Sequence, residues 1–152
     1  PLRATELALV DRVPDGTNAG FLRPDALLAI VMLTDEDDCS NNAESVTIDF
    51  SNPDICDPSS PTIPPTSHYI EMLDRVKGER GRWATAVIAG PGPDVCGSAF
   101  GEAVPADRLK QFVNEAGENA VFSSICDGDL AAGLQRAMET FNTACEFFPP
   151  LI

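Results

Sequence analysis

The chain has 152 residues, ten basic against 24 acidic for a formal net charge of -14, and 43% of its residues are hydrophobic. That is one domain's worth of chain, enough for a core, and its acidity argues against nucleic acid as a partner because it repels phosphate backbones. The longest apolar run, "ALLAIVML" at 26–33, is eight residues, whereas a membrane-spanning helix needs about 20; no membrane insertion is expected.

The first residue, Pro1, is not an initiator methionine and follows no signal peptide, so the sequence reads as a processed or truncated piece of something longer. "LRATELALVDR" at 2–12 predicts a short helix, ended by the turn "PDGTN" at 14–18. The apolar run then predicts a strand over 27–34, buried on both faces as a central parallel strand is. Residues 39–66 are rich in Pro, Ser, Asn and Asp and form an insertion, with "SVTIDF" at 45–50 as a possible short edge strand. A second helix is expected from Thr66 or Ser67 to Gly78, and a second strand at 83–90, "WATAVIAG". After the loop "PGPDVCGSAFGEAV", Pro105 suits the first turn of a third helix carrying Leu109, Phe112, Val113 and Ala116 on one face. A short strand at 120–125 and a helix from about Gly128 to Cys145 complete the chain. Strict alternation of helix and strand implies an α/β fold, a parallel sheet with helices on both faces and right-handed crossovers, in one domain over 1–152. With only two further strands available, Leu27–Leu33 would be an exposed apolar edge. It would be met either by an absent part of the domain bound as another chain or by a copy of itself, and the first is favoured.

The five cysteines contain no C-x-x-C pair, which argues against zinc. They read better as disulfides of an oxidising compartment: extracellular, cell-surface or periplasmic. In a parallel sheet Cys39, Cys96 and Cys126 each follow a strand, so with Cys56 they collect at the carboxyl edge. Cys126 and Cys145 bracket the last helix, about 25 Å long, while a disulfide tolerates about 7 Å between Cα atoms. The pairing expected is Cys39–Cys56 and Cys96–Cys126, with Cys145 unpaired or joined to a segment elsewhere; five buried thiols are the alternative. Closing the insertion by Cys39–Cys56 would stabilise the fold by roughly 3 kcal/mol on the chain-entropy model.

"TDEDD" at 34–38 follows the apolar strand. Ligands of open parallel sheets bind beyond the carboxyl ends of the strands, and adjacent carboxylates there repel unless a cation or hydrogen-bond donors relieve them. Hard oxygen donors suit magnesium, manganese or calcium. An EF-hand is excluded, since Ser40 and Val46 stand where it needs glycine and glutamate. The plain alternative is that the acids cap their own loop. Asp127 and Asp129 suit a helix start, and His68 has no acid partner in its local sequence and reads as a surface helix residue.

"GFLRPDALLAIVMLTDEDDCS" with the later "SICDGDLAAGLQRA" resembles the C-terminal portion of a von Willebrand factor A-type domain, in a bacterial extracellular branch of that family. The resemblance covers nearly the whole chain and implies a three-layer, Rossmann-like sheet and a non-enzymatic binding or adhesion module. It implies a divalent-cation site, Mg²⁺ or Ca²⁺, at which Asp35 lies, with Thr34 before it at the strand end; Asp37 is a further candidate ligand. Glu36 replaces the family's glycine, and the Asp-x-Ser-x-Ser motif that supplies the main ligands is absent. The implied partner is a protein or the N-terminal half of the domain, with an oligomer through the strand edge as another outcome. "DGTN" at 15–18 lies too close to the strand to be the family's separate threonine ligand and reads as a plain turn. Two other functions stay open: a structural subunit of a surface assembly, and a metal-dependent hydrolase using Asp35, Asp37 and Asp38, with Asp94, Asp127 and Asp129 able to reach the same edge.

Overall fold

A computed structural model describes residues 1–42, 56, 59–99 and 101–149. In chain order the elements are α1 (Leu2–Glu6), β1 (Leu28–Leu33), α2 (Thr66–Lys77), β2 (Trp83–Ala89), β3 (Cys96–Ser98), β4 (Gly101–Ala103), α3 (Asp107–Ala116), β5 (Ala120–Ser124) and α4 (Leu130–Glu146). The first helix continues through Asp11 as a π-helical turn, and Asn18 donates its side-chain amide to the carbonyl of Ala8 (2.8 Å) there. The turn at 14–18 is a turn as expected: Asp15 accepts the Thr17 N–H (2.9 Å), and Gly16 supplies a φ of 85°. The possible strand at 45–50 lies outside the described residues.

β1, β2 and β5 form a parallel sheet in that order, with Leu28 opposite Trp83 and Thr85 opposite Ala120. The fold is thus α/β, with a small parallel sheet flanked by helices. β2 is buried along its whole length, and its alternation divides the core. Trp83, Val87 and Ala89 pack with Leu2, Tyr69, Leu73, Leu109 and Phe112 of α1, α2 and α3. Ala84 and Ala86 face Ala137, Phe141 and Ala144 of α4. The small residues let α4 lie close to the sheet: a Cβ on Gly133 would stand 3.1 Å from Ile88 Cδ1.

β1 differs from the central strand expected. Among the described residues it is an edge strand of the sheet, and it is buried on one face only. Leu28 and Met32 enter the larger cluster, while Val31 and Leu33 on the other face are 46% and 55% exposed. Below its amino end the buried Lys77 ammonium donates to the carbonyls of Arg23 (2.6 Å) and Ala26 (2.7 Å). Burial, reinforced by the neighbouring Arg82 charge, lowers the Lys77 pKa. At the foot of β2, Asp74 accepts two hydrogen bonds from Arg80 (2.8 and 2.7 Å) and one from the Trp83 indole (2.7 Å), fixing the end of α2 to the sheet.

The loop after β2 contains a feature its Pro/Gly-rich sequence did not announce. β3 and β4 form a short antiparallel hairpin, Cys96 opposite Ala103. Its return passes so close to the end of β2 that a Cβ on Gly90 would overlap the Val104 carbonyl oxygen and stand 2.8 Å from its carbon. α3 then begins at Asp107, two residues past Pro105.

Backbone cannot retreat as a flexible side chain can. Gly90→Ala is therefore expected to destabilise the fold by about 2–3 kcal/mol, read as a lowered urea midpoint at unchanged slope. Gly97→Ala, whose nearest atom would be 3.9 Å away, is expected to change it by less than about 0.5 kcal/mol.

Candidate functional site at the carboxyl edge of the sheet

Where β1 ends, Thr34 donates its N–H to Ile88 (3.1 Å), the last rung of the ladder. Its hydroxyl accepts the Glu36 N–H (3.1 Å) and donates to the Glu36 carbonyl (2.9 Å), turning the chain sharply. The Asp35 carbonyl accepts the Val104 N–H (2.9 Å), joining this turn to the hairpin's return. Between turn and hairpin lies a cleft of about 340 Å³, lined by Leu33, Thr34, Asp35, Glu102, Cys126 and Leu130 among others. Asp35 and Glu102 are exposed, and among the described residues neither carboxylate has a hydrogen-bonding or ionic partner.

The next two acids turn the other way. Asp37 accepts the N–H groups of Arg108 (2.9 Å) and Leu109 (3.1 Å) in the first turn of α3, and that of Asp38 (2.8 Å). It is an N-cap supplied from a distant loop, satisfying amides that α3 cannot pair internally. Asp38, with no exposed side-chain surface, accepts the Leu2 N–H of α1 (2.8 Å), the Ser40 hydroxyl (2.7 Å) and the Arg108 Nε–H (3.0 Å). Ser40 in turn accepts the Arg3 N–H (2.7 Å). Burial opposes charge on Asp38, but hydrogen bonds from Leu2 N–H, the Pro1 amino group and Ser40 outweigh it and hold the pKa below the usual carboxylate value.

Of the three residues expected at a metal, the structure therefore brings Thr34 and Asp35 to the cleft and turns Asp37 away from it. The set Asp35, Asp37 and Asp38 does not converge on one point, and among the described residues no three acids, histidines or cysteines cluster as a metal site would. Asp129 caps α4, accepting from Ala131 (3.0 Å) and Ala132 (3.3 Å). Asp127 lies 3.6 Å from the Arg136 guanidinium. His68 has a partner after all, at long range: its Nε2 stands 2.9 Å from Glu6 Oε1, joining α2 to α1. Nothing in the sequence marks Glu102, Ser40 or Arg108 as a site residue. Arg108 looks like any helix-surface arginine there, and Glu102 sits in a glycine-rich loop without a motif.

Both expected disulfides are present. Cys39–Cys56 has Cα atoms 4.9 Å apart, and Cys96–Cys126 has them 6.0 Å apart. The second ties β3 to the turn that follows β5, so the hairpin wall of the cleft is cross-linked to the sheet. Cys145 is an exposed free thiol. The two bridges fit an oxidising environment, and among the described residues no helix is long and apolar enough to cross a membrane. Comparison of the chain with protein-family models, with characterised proteins and with solved structures finds no match.

Two predictions concern Asp38. Asp38→Asn leaves the Arg108 guanidinium buried without its counter-charge, and is expected to cost about 3–5 kcal/mol in chemical denaturation. The folded-state pKa of Asp38 is depressed, so its contribution is complete above the unfolded value of about 3.9 and is lost as pH falls below that value toward the folded one. Unfolding midpoints of wild type should accordingly fall more steeply below about pH 4 than those of Asp38→Asn.

Proposed function

We propose that the chain is a non-enzymatic extracellular binding module of the von Willebrand A type, its sheet being part of a three-layer, Rossmann-like domain. In this reading a divalent cation, Mg²⁺ or Ca²⁺, binds at the carboxyl-edge cleft. The observation that carries it is that Asp35 and Glu102, whose carboxylates have no partner among the described residues, both line a cleft beyond the ends of parallel strands, where such folds bind their ligands. The motif resemblance around Thr34 and Asp35 supports it independently.

The donor set fits a hard cation only in part. Asp35 and Glu102 offer carboxylate oxygen, the Thr34 hydroxyl is already engaged with Glu36, and Asp37 is occupied by three amides. Asp35 and Glu102 would hold the ion, with water and an acidic group of the partner completing its shell. The bound ion would supply positive charge against which a partner's carboxylate docks. Such a thin donor set implies weak affinity, on the order of 10⁻⁴–10⁻³ M as in extracellular calcium modules.

Calorimetric titration with Ca²⁺ and with Mg²⁺ tests this. Asp35→Asn and Glu102→Gln are each expected to weaken binding at least tenfold while leaving thermal stability unchanged. Asp37→Ala is expected to do the reverse, costing about 1–2 kcal/mol of stability through loss of a helix cap with ion affinity preserved. Absence of binding at 10 mM of either ion, on the order of ten times the weakest affinity in that range, would falsify the cation reading.

A further inference from the structure

The carboxyl-edge cleft combines two chemistries. Asp35 on the turn after β1 and Glu102 on β4 bring charge, and neither carboxylate has a partner among the described residues. Much of the remaining lining is apolar: Leu33, Ala103, Ile125, Leu130 and the bridged Cys126. Leu33 and Leu130 are 55% and 37% exposed. A hard cation is ligated by oxygen and makes no use of that wall. The lining comes from four segments: the β1 turn, the hairpin, the turn Ile125–Asp127 and the first turn of α4. The Cys96–Cys126 bridge ties two of them together, so the cleft is formed before anything enters and loses little freedom on binding.

The charge around it is one-sided. Glu36 and Asp94 stand exposed at the same edge, likewise without a basic partner among the described residues. The basic side chains of α3 and α4 are already matched: Lys110 to Asp107 (3.2 Å), Arg136 to Asp127 (3.6 Å) and the buried Arg108 to Asp38 (3.0 Å). An apolar wall that ends in unmatched carboxylates is complementary to an aliphatic stem that ends in a cation.

We propose that the cleft seats an arginine side chain of a partner polypeptide, its methylene stem on Leu33, Ile125 and Leu130 and its guanidinium at Asp35 and Glu102. This use of the cleft rests on its reading as the binding surface and not on a bound ion. Arginine suits it better than lysine. The guanidinium is weakly hydrated and presents five donors in one plane, enough to meet two carboxylates carried on different elements, whereas the ammonium is a compact, strongly hydrated point charge. A space of about 340 Å³ lies at the small end of ligand pockets, room for one long side chain and not for a folded segment. A divalent ion and a guanidinium draw on the same two carboxylates and therefore exclude one another.

The test titrates the acetylated, amidated tripeptide Gly-Arg-Gly, whose only charge is the guanidinium, into the whole disulfide-bonded chain in EDTA. Amide chemical shifts are expected to move at Thr34, Asp35, Glu102, Ala103 and Cys126, with a dissociation constant in the millimolar range, as one side chain allows. Citrulline in place of arginine keeps the shape without the charge, and should bind at least about fivefold more weakly. Lysine should bind at least about twofold more weakly. Asp35→Asn and Glu102→Gln should each weaken the arginine peptide at least about threefold. Leu33→Ser and Leu130→Ser should weaken it as much while leaving Ca²⁺ affinity unchanged, a separation that a bare ion site does not give. Should either serine disturb folding by circular dichroism, Leu33→Ala and Leu130→Ala replace it, with at least about a twofold loss expected. Ca²⁺ at about 10 mM should displace the peptide. If the peptide binds as described but Ca²⁺ neither binds nor displaces it, the ion reading fails and the arginine site stands. If Ca²⁺ binds at Asp35 and Glu102 while the peptide moves no cleft amide at about 20 mM, the arginine site is overturned and the ion reading stands. Equal binding by the citrulline peptide, or an affinity indifferent to both leucine changes, overturns the arginine site as well.

Discussion

Two neighbouring carboxylates, Asp37 and Asp38, hold the starts of two helices that the chain separates by about a hundred residues. Asp38 joins the first amides of α1 to the Arg108 guanidinium in α3, and Asp37 caps α3 directly. A buried ion pair is a poor source of stability in itself, because desolvation offsets most of its attraction. Its effect here is on arrangement. With every oxygen committed to a defined donor, the loop after β1 has one conformation that leaves no buried charge unpaired, and α1 and α3 are set around it.

That anchoring gives the carboxyl edge its division of labour. The four acids after β1 form no single cluster: Asp37 and Asp38 are taken up by helix starts, and Asp35 and Glu36 are exposed, Asp35 alone lining the cleft. The opposite wall is a small hairpin that carries few apolar residues and depends on its surroundings, namely the Val104–Asp35 hydrogen bond, the close passage over Gly90 and the Cys96–Cys126 bridge. The core beneath is asymmetric. The side with α1, α2 and α3 is filled by Trp83, Tyr69 and Phe112, whereas the α4 side is built mostly on alanine around Phe141 and, among the described residues, leaves Val31 and Leu33 of β1 exposed.

The sequence was a good guide where physics acts locally. Alternating periodicities marked the helices and the three parallel strands within a residue or two, and strand topology placed four cysteines at one edge, where the expected pairs Cys39–Cys56 and Cys96–Cys126 are found. It also foresaw that β1 would have a single strand neighbour among the described residues. It was a poor guide wherever a side chain finds its partner across the fold. Asp37 and Asp38 look the same as Asp35 and Glu36 when written in a row, and only the approach of α1 and α3 distinguishes them. His68 seemed solitary because Glu6 lies 62 positions away. The hairpin at 96–103 escaped notice since glycine and a disulfide, not strand-forming residues, define it.

Asp35 stands two residues from Asp37, so a side chain open to solvent is mounted on backbone already fastened to a helix. Whatever enters the cleft meets a loop whose ordering was completed during folding. Association there should proceed as a single fast step without a conformational lag, and its heat-capacity change should reflect only the surface directly covered.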